Sequence, residues 1–463
     1  MADVSSIKQQ IEQLIRDRQW ERIRPLFAQL HPADIAEIIN AAPPSAHNSL
    51  FDLVDDDIKP DVLADLSDKA EADILEELTD EELSDIVEEM APDDAADLLA
   101  DLEEKRSEEI LDLMEEEESD EVRELLRYDE DTAGGIMTPD FVAVRGNLTA
   151  RQALDYLGSL ELDEPVYNLY VVDDEGRLTG WIQLWELLKK ANRNRLLDHL
   201  AHKDPIAVRT DTDQEEVARL ATKYDLSSLP VLDEEGRLVG RITIDDIMDV
   251  IEEEATEDIF KLAGSSEIEL EDPSPLRACR VRLPWLFITL GTGFITSLIL
   301  KHFIAQLTLS EILALSFFVP IVMAMGGNTG IQSSTLVIRR IALGTGQFRD
   351  LFKVVSHEII TGAIMGIICG LVIGIWARFV IGRNAPPPAI SPAYLALTVG
   401  VALFCAMTFA AVFGAIVPVL LDRMKIDPAV ASGPFVTASN DIFALLIYFG
   451  VTLLMLGVIH ALT

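Results

Sequence analysis

Apolar and polar positions follow three different rhythms along the chain. Up to about residue 130 the apolar residues come at helical spacing in short amphipathic runs punctuated by Pro. "HPADIAEII" (31–39) returns as "APDDAADLL" (91–99), with Pro32, Asp34 and Ala36 matching Pro92, Asp94 and Ala96 at an offset of 60. This recurrence predicts a stack of helical hairpins in which each unit covers its neighbour's apolar face. Between about 134 and 258 the runs shorten. "YNLYVVDDEGRLTGWIQLWELL" (167–188) aligns without gaps on "SSLPVLDEEGRLVGRITIDDIM" (227–248), with nine identities in 22 positions. Each copy predicts a strand, a turn at Asp-x-Glu-Gly whose glycine supplies a positive φ, a second strand and a helix.

The third rhythm is almost unbroken hydrophobicity. Five segments, at about 284–307, 310–343, 350–381, 390–421 and 429–462, each have room for a span of about 20 residues across roughly 30 Å of hydrocarbon. In the second, Pro320 and the glycines of "GGNTGIQSST" are expected to break the helix beside a protein-walled cavity. Ahead of the first span, "DDIMDVIEEEATEDIFKLAGSS" (245–266) predicts a helix with acids on most faces, too polar to span and closed by Gly264. It reads as a connecting element at the membrane face, with Pro273 and Pro275 breaking the chain after it.

Charge sharpens this division. Residues 1–278 carry 73 Asp and Glu against 26 Lys and Arg, whereas residues 279–463 carry 6 against 11. So acidic a chain argues against nucleic acid as a partner, and a cation is the natural one. The first twenty residues have no apolar core of a signal peptide, which predicts that the acidic part stays cytoplasmic. Arg277, Arg280 and Arg282 before the first span, and Arg339, Arg340, Arg349 and Lys353 after the second, agree through the positive-inside rule. The three cysteines form no Cys-x-x-Cys pair. Neither a P-loop nor Gly-x-Ser-x-Gly occurs, and "SHEII" (356–360) lacks the second His of a zincin, so no enzyme and no ATP-driven pump is indicated.

Asp441 is the acid set most deeply in an apolar run. A carboxylate costs about 3 kcal/mol to insert at the centre of a membrane helix and by default marks an ion or proton pathway, the alternative being an acid satisfied by neighbouring hydroxyls and amides. Around it, "PIVMAMGGNTGIQSSTLVIRR" (320–340) and "DPAVASGPFVTASNDIFALLIYF" (427–449) resemble the MgtE-type magnesium transporters, and the order of parts along nearly the whole chain is similar to theirs. Gly327 and Gly330 allow backbone carbonyls to approach an ion and Asn328 offers an amide oxygen, so these three are assigned with Thr437 and Asp441 to the ion pathway. Close helix packing is the alternative use of the glycines. Hard oxygen donors suit Mg2+, which keeps most of its waters and needs few carboxylates.

The resemblance implies a homodimer with its pore at the subunit interface, in a bacterial inner membrane. It implies a multidomain architecture: a superhelical α-helical N-domain (1–130), an α/β pair of CBS domains (134–258, dividing at 197/198), a connecting plug helix (246–272) and an all-α polytopic membrane domain (280–463) with five transmembrane helices. It also implies Mg2+-sensing carboxylates: Asp93 and Asp97 in the N-domain, Asp213, Glu215, Asp225 and Asp246 in the second CBS copy, and Asp249, Glu254, Glu257 and Asp258 on the connecting helix. In the same copy "GRITIDD" (240–246) resembles the pattern by which CBS pairs hold ATP or another adenosine nucleotide, with Thr243 toward phosphate and Asp246 toward ribose, whereas "GWIQLWE" (180–186) puts Gln183 and Glu186 in those places. The function implied is a Mg2+-selective channel or channel-like transporter, closed when cytosolic Mg2+ bridges the acidic domains. A divalent-cation transporter coupled to H+ or Na+, and a membrane-anchored nucleotide sensor without transport, are the alternatives.

Overall fold

The computed structural model describes residues 4–160, 166–266, 274–342, 351–381, 391–429 and 433–462. They form two compact units, Met1–Glu253 and Glu254–Thr463. In the first, short helices run from α1 (Val4–Arg16) to α10 (Glu116–Leu125). The 60-residue repeat is visible in α3 (Pro32–Ala41) and α8 (Pro92–Ala100): both start on a proline, which needs no N–H in a helix's first turn. Both bury the same four positions, Ile35, Ala36, Ile38 and Ile39 in one and Ala95, Ala96, Leu98 and Leu99 in the other. Spacing of i, i+1, i+3 and i+4 makes a single apolar stripe, and the stacked stripes build the core.

The paired copies fold alike. In the first, β1 (Ala143–Arg145) lies parallel to β2 (Asn168–Val172), which pairs antiparallel with β3 (Leu178–Gln183). In the second, β4 (Val208–Arg209), β5 (Leu229–Leu232) and β6 (Leu238–Ile242) repeat this order and its register irregularity. Asp173 Oδ1 accepts from the backbone N–H groups of Glu175 and Arg177, and Asp233 Oδ1 does so from Glu235 and Arg237. These side-chain bonds close turns in which Gly176 and Gly236 sit at φ +81° and +82°. The turns also meet: Leu238 N donates to Gly176 O at 3.1 Å and Leu178 N to Gly236 O at 3.4 Å. One apolar cluster joins the helical stack to the second copy through Val208, Val217, Val231 and Ile247, while the first copy has its own core around Val144, Leu169 and Ile182.

After α11 (Ala150–Leu157), α12 (Leu184–Leu188) and α13 (Gln214–Tyr224), the 20-residue α14 (Ile244–Ala263) runs from the first unit into the second. It ends as expected at Gly264, whose φ of +71° is open to glycine at little cost. The next helix, α15 (Pro275–Ile304), opens on Pro275, so the chain breaks ahead of the basic cluster and Arg277, Arg280 and Arg282 lie on the new helix, while Pro273 lies outside the described residues.

The membrane part continues with α16 (Leu309–Ser316), α17 (Val319–Ala342), α18 (Leu351–Ile381), α19 (Pro392–Arg423) and α20 (Pro434–Leu462). Five stretches of these helices are long and apolar enough to cross a membrane. The expected break in the second span exists, but one step earlier and without the glycines. Pro320 brings no N–H for the carbonyl of Ser316, so the helix stops there and restarts at Val319 with Pro320 in its first turn. At the break, Leu315 O accepts from Phe318 N at 3.1 Å and from the buried Tyr448 hydroxyl at 2.9 Å. The segment from Gly326 to Gly330 stays helical.

Candidate ion pathway and acidic cytosolic sites

Two helices, α17 and α20, carry the residues assigned to the pathway, and glycines set how closely they pack. A Cβ on Gly327 would lie 3.4 Å from Thr437 Cγ2 and 3.8 Å from Asp441 Oδ1, so these three residues meet. Among the described residues nothing donates a hydrogen bond to the Asp441 carboxylate or pairs with its charge. Gly330 plays another part: a Cβ there would overlap Asn440 Nδ2 at 1.8 Å, and its carbonyl oxygen would be 2.3 Å from a Cβ on Gly414 of α19. Gly330 thus serves the contact of three helices rather than an open carbonyl lining. Asn328 points away from that contact and is exposed on the single chain, as is Gln332 one turn on.

Sequence reasoning missed two buried polar residues in this domain. Asn440 is 1% exposed and, among the described residues, neither its amide nitrogen nor its oxygen has a partner. Glu358 of α18, 5% exposed, accepts from Ser333 Oγ of α17 at 2.7 Å and fixes those two helices together. The signal for Asn440 was present, since a primary amide inside an apolar helix is costly to leave unbonded. Glu358 sits only two turns into its helix, where a carboxylate reads as interfacial.

The carboxylates expected to sense Mg2+ separate into groups. In the first unit Asp97 is pushed up to about 7 by burial, with Asp94, Glu130, Asp246 and Glu253 adding repulsion, although the residue keeps an open edge to water. Burial also raises Asp246, against the pull of bonds from Thr243 N and Oγ1, and raises Asp249, with Asp245, Asp65 and Glu252 contributing. Asp93 is 7% exposed in the first turn of α8. Asp213 caps α13, accepting from Glu215 N at 3.0 Å, and Asp225 ends the same helix at φ 52°. Their backbones stand roughly 18 Å apart along that helix, so one ion within one chain cannot be shared by both. In the second unit Glu254, Glu257 and Asp258 follow on α14. Asp258 is raised by burial, then by Asp427, against the attraction of Lys261.

The Thr243–Asp246 pair is engaged within the chain. Thr243 Oγ1 is bonded to the carboxylates of Asp245 and Asp246, so the groups expected to face phosphate and ribose face one another.

Crowded acids have a consequence for stability. Glu71 on α6 (Asp68–Leu75) is pushed up to about 7, chiefly by burial and then by Asp101, Asp68 and Asp97. A carboxyl whose folded value exceeds its ordinary 4.5 binds its proton more tightly in the folded state, so stability falls as pH rises from about 4.5 to about 7 and levels off above. Hydrogen exchange of α6 and α8 in the full chain, corrected for intrinsic rates, should show more frequent opening at pH 8 than at pH 5.5, with millimolar Mg2+ narrowing the gap. Equal opening at both pH values would contradict the crowding.

Comparison with known proteins fits this division of the chain. Residues 319–451 match the family model of the MgtE divalent cation transporters, residues 30–131 the MgtE intracellular N domain, and residues 133–193 and 197–253 the CBS domain. The chain is 42% identical to the magnesium transporter MgtE of Thermus thermophilus over 71% of each chain. It belongs to the MgtE family. A second MgtE, the magnesium transporter of Enterococcus faecalis, is 35% identical over 70% of this chain and 69% of its own. The cytosolic domain of the Mg2+ channel MgtE in complex with ATP, a crystal structure, is 35% identical over 52% of this chain and 98% of its own, with a TM-score of 0.47. The match to the divalent cation transporter model begins at residue 319, on α17, which carries the Gly-Gly-Asn element.

Proposed function

We propose that this MgtE protein conducts Mg2+ passively through a pore that α17 and α20 form with a second copy of the chain, and that cytosolic Mg2+ closes it. The observation that carries the reading is Asp441: a carboxylate on an apolar helix, beside Gly327 and Thr437, with no hydrogen-bonding or ionic partner among the described residues. Burying a charge without a partner is costly, and a passing divalent cation is the partner that offsets it. The exposed Asn328 face gives each chain an amide to offer toward such an axis. A gradient and the membrane potential suffice as driving force, the potential alone being worth about 4.6 kcal/mol per divalent ion at 100 mV.

Closure follows from the acids. Two carboxylates about 5 Å apart repel by roughly 3 kcal/mol at an effective dielectric near 20, and Mg2+ converts that repulsion into a bridge. The acidic groups around Asp97 and Asp246, and around Asp258, are the proposed sensing sites. Adenosine nucleotide is proposed as a ligand of the CBS pair as a whole, without assignment to Thr243. The test is Mg2+ flux into liposomes holding the purified full chain, with and without internal Mg2+. Flux that ignores H+ and Na+ gradients and falls as internal Mg2+ rises supports the reading. No flux at any internal Mg2+ would leave the nucleotide-sensor alternative standing.

A further inference from the structure

Where α14 ends, its last turn lies directly against the start of α20. A Cβ on Gly433 would be 1.9 Å from Leu262 O, and one on Gly264 would be 3.0 Å from Pro434 Cγ and 3.4 Å from Trp285 Cγ. Into this junction reaches a lysine. Lys261 Nζ lies 2.8 Å from Asp427 Oδ2 and also pairs with Glu257 one turn back on α14. Asp427 is held in place from its other side, Oδ1 accepting from Ala429 N at 2.7 Å. Burial alone would lower Lys261, but Asp427 and Glu257 outweigh it and push it well above its ordinary value, so it is charged at any physiological pH. Asp258 lies close enough to feel Asp427, Lys261, Glu257 and Arg339.

We propose that Lys261 is a tethered cation: its ammonium fastens the connecting helix to the loop ahead of the pore helix, supplying from the chain itself part of the bridging that closure requires. The inference rests on the Mg2+-closed reading above and adds a device to it. Divalent ions would otherwise have to neutralise Glu257, Asp258 and Asp427 unaided, whereas here one of the counter-charges is covalently present and cannot dilute away. A tether of this kind lowers the internal Mg2+ at which the pore shuts. Removing it costs what a partly exposed ion pair is worth.

The test is the internal Mg2+ giving half-maximal flux in liposomes. Lys261→Met should raise it about two- to fivefold, and Lys261→Arg, which keeps the charge, should stay near the wild type. Asp427→Asn should shift it in the same direction and by no more than Lys261→Met, and the double variant should shift it no further than Lys261→Met alone, because the Lys261–Asp427 pair is already lost there. Limited proteolysis of α14 in Mg2+-free buffer gives a second readout, with Lys261→Met cut faster than wild type. An unshifted Lys261→Met, a downward shift, or additive single changes would overturn the tether while leaving Mg2+ closure intact. A wild type indifferent to internal Mg2+ would overturn both.

Discussion

Asp441→Ala should lower Mg2+ flux in liposomes by at least about a hundredfold while leaving a folded protein. A divalent ion about 5 Å from one carboxylate gains roughly 7 kcal/mol at an effective dielectric near 20, and even with most of that offset by lost hydration the remainder decides entry. Folding should survive for a structural reason: nothing among the described residues hydrogen-bonds the Asp441 side chain, so its removal strands no partner. Asp441→Asn separates charge from shape. It keeps an oxygen donor in the same volume beside Gly327 and Thr437, so if charge concentrates the ion, flux falls nearly as far as with Ala. Wild-type flux from either variant would remove Asp441 from the pathway.

Much of this site was legible in the sequence. An acid within an apolar helix, a Gly-Gly-Asn-x-Gly element and a 22-residue repeat all state their physics locally, and the repeat yields two sheets of identical order. What stayed hidden depends on partners distant in the chain. Whether Gly330 lines a pore or admits a neighbour is decided by Asn440 and Gly414, about 110 and 84 residues away, and no local pattern reports that. Lys261 reads in sequence as a cation in the last turn of an acidic helix, where any lysine is favourable. Its partner Asp427 is 166 residues on. The share given to the glycines in the break of the second span is a smaller error of the same kind: Gly326, Gly327 and Gly330 stay helical where they pack against α20, and only the distant partner shows it.

The second large effect concerns closure. Combined replacement of Asp246, Asp249, Glu257 and Asp258 by Ala should leave flux active at internal Mg2+ levels that silence the wild type, raising the closing concentration about tenfold or abolishing closure. Burial and repulsion raise Asp246, Asp249 and Asp258, and that crowding is what a bridging cation relieves. Asp246 has a second duty, since it accepts from Thr243 N at 3.0 Å at the start of α14, and losing such a cap costs about 1 kcal/mol. A triple variant retaining Asp246 therefore distinguishes lost ion bridging from a frayed helix start: it should keep most of the shift. Closure of the quadruple variant at the wild-type concentration would exclude α14 as the ion-bridged element.

The two Asp-x-Glu-Gly turns of the paired copies lend each other backbone bonds across Gly176 and Gly236. Duplicated segments usually drift apart freely, each answerable only to its own core. Here a change of length or backbone conformation in one turn withdraws a hydrogen bond from its twin, so the copies have become one another's constraint. That mutual hold falls on Gly176 and Gly236 and on the leucines two residues on, while Asp173 and Asp233 each close their own turn, and the helices that follow, "LWELL" and "IDDIM", share neither bond and differ in chemistry.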